Sequence, residues 1–294
     1  MKKTIIASAI AAVVAAPVAF ADVKIGGQIN QEFFDAGADL QSDMNVDVVI
    51  SGSEDLGNGM KASFKIHTMY DNGTIGSKDT IASADSSNQA NQQISLSGDF
   101  GTITTGRFEP MLEGQVVSMA FLNATDTLTI ENAQSSAGRA EGGLNYMSPN
   151  MNGFQVGVEG FTTESAGSND FDTTAVMVSY SNGGLTVKVA DESIDGGNDT
   201  TAIAVQYKMG DLTLRVVDQD SSDNTLDDTY FGAAYTMGAN TFSAGVIDSD
   251  TDSDGDWIVS AKHALSKSTA VYVGVENDDS AADDTTLVGI QHKF

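Results

Sequence analysis

The side chains able to do chemistry in this chain are charges rather than nucleophiles. There are 41 acidic residues against 14 basic ones, and no cysteine. Thiolate catalysis, disulfides and thiolate metal sites are therefore excluded. The histidines are His67, His263 and His292. No motif gives any of them a serine partner, and no Gly-x-Ser-x-Gly occurs. Catalysis is not expected. What remains is electrostatic work, in which fixed charges attract, repel or orient solutes. So acidic a balance also argues against nucleic acid, which needs a basic footprint.

One acidic run invites a metal reading. Asp248–Asp256 contains the D-x-D-x-D-G start of a calcium loop, with Asp250, Asp252 and Asp254 as candidate ligands. Counted from Asp250, the twelfth position is Ala261, where an EF-hand needs a bidentate Glu. It is not an EF-hand. No resident cofactor is expected, and loosely bound divalent cations are the most that such a loop would hold.

The elements that must position these charges are strands. Residues 1–21 read as a cleavable signal peptide: Lys2 and Lys3, an apolar run from Thr4 to Phe20, then Ala19-Phe20-Ala21 as the small-x-small site. Losing that leader removes two bases and no acid, which leaves 12 against 41, or −29. Residues 22–294 form a single domain. In Met60–Tyr70, Met60, Ala62, Phe64, Ile66 and Tyr70 alternate with Lys61, Ser63, Lys65 and His67. Leu185, Val187 and Val189 alternate with Thr186 and Lys188, and Leu212, Leu214 and Val216 with Thr213 and Arg215. That period of two is the signature of a half-buried strand.

Connections alternate between tight turns, such as Asp55–Gly59 and Asn182–Gly184, and longer polar stretches, such as Asn72–Ser86 and Glu109–Gly138. Seven turns and eight loops imply about sixteen strands. Short turns on one rim and long loops on the other suit an antiparallel transmembrane β-barrel, with apolar faces on lipid and polar faces on the lumen. A β-solenoid should show a fixed repeat, and none is present. A soluble sandwich does not need the turn–loop asymmetry.

Counting along each strand puts Lys65, His67, Arg139, Lys188, Lys208 and Arg215 on the lumen face, with Glu141 beside Arg139. Asp47 shares its face with Ser51, opposite Val46, Val48 and Ile50. Arg107 ends its strand, where alternation decides little.

Several stretches together resemble Gram-negative general porins. They are G-S-E-D-L-G-N-G-M-K at 52–61, L-S-G-D-F-G-T at 96–102 with Thr105-Gly106-Arg107, Y-M-S-P-N-M-N-G-F at 146–154, A-L-S-K-S-T at 264–269 and the ending G-I-Q-H-K-F at 289–294. The resemblance runs in order from near residue 23 to the end. It implies a sixteen-stranded homotrimeric barrel in the outer membrane of a Gram-negative bacterium, with a long third loop folded into each pore. Passive diffusion of small hydrophilic solutes and ions is the implied function. Outer-membrane lipid, lipopolysaccharide and the barrel-assembly machinery, through the C-terminal strand, are the implied partners.

Glu109–Gly138 sits where that third loop belongs, and it carries Glu109, Glu113, Asp126 and Glu131. In the family such acids face a basic wall across the constriction, to which Arg107 and Arg139 would belong. A third family arginine falls at Asp47, a departure that replaces a positive charge with a negative one. The expected pore therefore prefers cations weakly to moderately. General adaptation to a saline habitat, with selectivity incidental, is the competing explanation of the acidity. A non-conducting structural or adhesive barrel is the alternative function.

Overall fold

The computed structural model describes residues 22–35, 37, 40–70, 89–120, 140–162, 171–222, 227–249, 255–277 and 284–294. Their strands are β1 (Asp22–Asp35), β2 (Leu40–Gly57), β3 (Met60–Tyr70), β4 (Gln89–Gly98), β5 (Gly101–Phe108) and β6 (Ala140–Met147). β7 (Phe154–Phe161), β8 (Thr173–Asn182), β9 (Leu185–Ile194), β10 (Thr200–Met209) and β11 (Leu212–Ser221) follow. The last are β12 (Asp228–Met237), β13 (Asn240–Ser249), β14 (Trp257–Ala264), β15 (Thr269–Asn277) and β16 (Thr285–Lys293).

Each strand pairs antiparallel with its chain neighbours, and β1 pairs with β16, so the sheet closes into a barrel. Closure leaves no open edge, which is what a strand structure in lipid requires. The seam is pinned at its turn end, where the Gly27 and Phe294 backbones exchange hydrogen bonds of 3.1 and 3.0 Å. Between β2 and β3 the turn is Asn58–Gly59, with φ of 52° and 76°. Positive φ at both positions is the hairpin geometry whose twist matches the flanking strands.

The alternation sorts the barrel's two faces. Ile66, Ile94, Val176, Phe231, Val259 and Val288 point outward and are exposed. Turn-end aromatics such as Phe154, Tyr207, Tyr235 and Phe294 share that outer surface, where an interfacial girdle belongs. Tyr230 does not, although its aromatic character also suits a girdle. Only 2% of it is exposed, and it points inward opposite Val217 and Ile247. Its burial is part of a larger departure from simple alternation. Val217, Tyr230, Ile247, Ile258 and Leu287 are inward and buried, and they join one apolar cluster with Met111–Ala120. One side of the lumen wall thus carries a buried apolar patch among its polar residues.

Candidate functional site

The segment that leaves β5 makes this apolar side necessary. Gly106, at φ 124°, sits at a ladder irregularity, and the chain then turns through a π-helical turn at Leu112–Val116 and a 3-10 turn at Val117–Ala120. Leu112, Val116 and Val117 are fully buried. They pack in one cluster with Ala190, Ala202 and Ala204, the small inward residues of β9 and β10. Small side chains on the wall let the segment's backbone come close. A run of alanines on a face otherwise meant for water was the available sequence signal.

Polar contacts hold the same segment to the wall. The Glu159 carboxylate on β7 accepts a hydrogen bond from the Met111 backbone N–H, and a second from Asn145 Nδ2 at 3.1 Å. Lys188 Nζ donates to the Gln115 carbonyl at 2.8 Å and to Gln115 Oε1 at 3.2 Å. Arg215 donates from Nη1 to the Met119 carbonyl at 3.2 Å, and from Nε to Gln206 Oε1 at 2.8 Å. Glu159 and Gln206 had no motif to mark them. Lys188 and Arg215 were legible as inward residues, but their partners were not.

Across from this seat, a polar cavity of about 270 Å³ lies between the segment and β3–β6. Lys65, Gln93, Thr104, Glu109, Gln115 and Asn145 are among the residues that line it. Lys65 and Glu109 thus bring opposite charges to one aqueous space. Glu113 belongs to the same segment and is partly buried.

Asp47 sits on the inner wall of β2. Its Oδ1 is 3.1 Å from His67 Nε2 on β3, and its Oδ2 accepts from Gln28 Nε2 on β1 at 2.8 Å. The chain of contacts continues across the seam, from Gln28 Oε1 to Gln291 Nε2 at 3.3 Å and from Gln291 Oε1 to Lys262 Nζ at 2.9 Å. Next to it, Tyr272 O–H donates to the buried Glu32 at 2.6 Å.

Arg107 lies at the end of β5, at the register shift between Gly106 and Phe108, pairs with Gln92 in the ladder and is half-buried. Glu141 lies in β6, and its side chain is outside the described residues. Arg139, Asp126 and Glu131 lie wholly outside them, as do Asp250, Asp252 and Asp254 and the leader 1–21. Among the described residues no group of three or more acids and histidines could hold a metal. His263 and His292 point outward near the turn rim, bonded to Asn240 at 2.8 Å and Thr269 at 2.9 Å.

A family model described as Gram-negative porin matches residues 7–283. The major outer membrane protein P.IB of Neisseria meningitidis serogroup B is 27% identical over 202 residues, which are 64% of this chain and 58% of that one. A second P.IB from the same serogroup is 24% identical over the full length of both chains. Among solved structures, Salmonella typhi OmpF in complex with daunomycin has a TM-score of 0.73 at 13% identity, covering 92% of this chain and 97% of that one. A triple mutant of Rhodopseudomonas blastica porin has a TM-score of 0.72 at 14% identity, covering 92% and 100%.

Proposed function

The chain belongs to the Gram-negative porin family and is an outer-membrane β-barrel rather than an enzyme, and from that premise we propose that it forms a water-filled channel preferring cations. Small hydrophilic solutes and ions cross it by passive diffusion. The third loop, of which Glu109–Ala120 is the described part, narrows the lumen from the β9–β12 side. Three copies assemble as a homotrimer in a membrane of lipid and lipopolysaccharide, after loss of the leader at Ala21 and insertion by the barrel-assembly machinery.

One observation carries the reading. Met111–Ala120 is tethered to one wall through Glu159, Lys188 and Arg215, and it leaves a polar cavity on the other. Opposed charges there, Lys65 and Glu109, would set a transverse field that orients dipolar solutes. Cation preference follows from the excess of acids and from Asp47, a carboxylate on the inner wall where the family carries an arginine. Mouth charges act over a screening length of about 8–10 Å at physiological salt, so the preference weakens in concentrated salt.

Reversal potential in a planar bilayer under a potassium chloride gradient tests this. A cation-selective potential that grows at low salt is expected. Anion selectivity would keep the channel and overturn its charge reading, and a folded trimer without conductance would favour a structural barrel.

A further inference from the structure

Inward-facing charges in this barrel are sorted by height as well as by side. At the turn rim Lys24, Lys61, Lys208 and Lys293 are exposed on the inward parity. Nearer mid-height lie Lys65, Lys188, Arg215 and Lys262, also inward. Among the described residues, the inward strand acids of the turn half are Asp22 and Asp55, and the turn tips add Asp99 and Asp211 together with Lys267.

The loop half reverses the sign. Asp43, Asp47, Glu192, Asp228 and Glu276 are inward there. Above them the described mouth carries Asp35, Asp172, Asp195, Asp199, Asp227 and Asp256. No described lysine or arginine of the loop half lies on the inward parity; Arg107 pairs with Gln92, one step along from the Lys65–Gln93 pair at mid-height. Among the described residues the lumen is therefore acidic above and basic below, with the change of sign near the level where Lys188 and Arg215 hold the inner segment.

We infer that this axial reversal makes the pore an ionic rectifier, an inference that rests on the channel reading above. A negatively lined half is enriched in mobile cations, and a positively lined half in mobile anions. With the loop side positive, each ion enters the junction from the half in which it is abundant, and conductance rises. With the loop side negative, each must first cross the half that depletes it, and conductance falls. Cation flux from the loop side inward is thereby favoured over the reverse. A transverse field alone has no such direction. The effect requires screening lengths comparable to the pore, about 30 Å at 0.01 M salt and only about 3 Å at 1 M.

Single trimers in a planar bilayer, in equal salt on both sides, test the inference through their instantaneous current–voltage curves. Orientation is read from a Ser268→Cys variant, since the chain has no other cysteine and Ser268 is exposed at the turn rim. A membrane-impermeant thiol reagent added to one chamber reports whether the turns face it. At about 0.01 M potassium chloride, current with the loop side positive should exceed the opposite current by roughly 1.5-fold or more, and the ratio should reach about one at 1 M. A triple Lys61→Gln, Lys208→Gln, Lys293→Gln variant alters rim residues that do not touch the inner segment. It should lower the ratio at low salt while leaving the 1 M conductance unchanged.

Symmetric current at low salt overturns the inference, as does a ratio that persists at 1 M or survives the triple substitution. Reversal potential measured on the same channels separates this from the charge-selectivity reading. A symmetric but cation-selective pore loses only the rectifier, and an anion-selective rectifier loses only the cation preference.

Discussion

Glu159 on β7 accepts the backbone N–H of Met111, a residue 48 positions earlier that enters the lumen after β5. Both carboxylate oxygens are used, because Asn145 on β6 donates to the second. A buried carboxylate thus fixes the start of the inner segment to the wall.

Glu159→Ala should therefore leave the Met111 N–H and the Asn145 amide unsatisfied, at a cost of about 1–3 kcal/mol. Denaturant unfolding of the refolded protein reads the loss, and single-channel recordings should become noisier as the segment loosens. Unchanged stability together with unchanged noise would show that the tether is dispensable.

The alanines under the segment predict an overpacking penalty. Ala202→Leu inserts bulk beside a well-packed cluster and should destabilise by about 1–3 kcal/mol while shifting conductance. Leu112→Ala, on the other side of the same contact, should cost about 2–5 kcal/mol by leaving a cavity. Combining the two should recover part of the loss, which a double-mutant cycle measures directly.

Asp47 predicts a change of selectivity. Asp47→Arg should move the reversal potential toward anions, and Asp47→Asn should move it less in the same direction. Both effects should shrink at high salt. A potential indifferent to either change would remove Asp47 from the selectivity argument, leaving it a structural partner of Gln28 and His67.

The Tyr272–Glu32 pair predicts stability without selectivity. Tyr272→Phe deletes the donor to a buried carboxylate and should cost about 1–3 kcal/mol. Reversal potential should not change, since no charge is removed. A large shift in selectivity would mean that the hydroxyl sets the position of Glu32 in the ion path.

Alternation and turn chemistry by themselves determined the barrel. Sixteen strands, seven tight connections and the inward parity of Asp47, Lys65, Lys188 and Arg215 are all local consequences of a period-two pattern and of turns such as Asn58–Gly59. Local rules also state which side of a strand meets water. They do not state what occupies the enclosed space. Only closure brings β7, β9 and β11 around Met111–Ala120, and that contact turned Ala190, Ala202, Val217 and Tyr230 from lumen-facing residues into packing. Closure likewise joined Lys262 to Asp47 through Gln291 and Gln28 across the β1–β16 seam. The alanines mark the wall side of the first contact, but the partners of neither contact can be read along the chain, because each pairs residues whose separation is set by the circumference of the barrel. The axial sorting of charge lies between the two: each residue's sign and parity are in the sequence, but their common height exists only once the strands stand side by side.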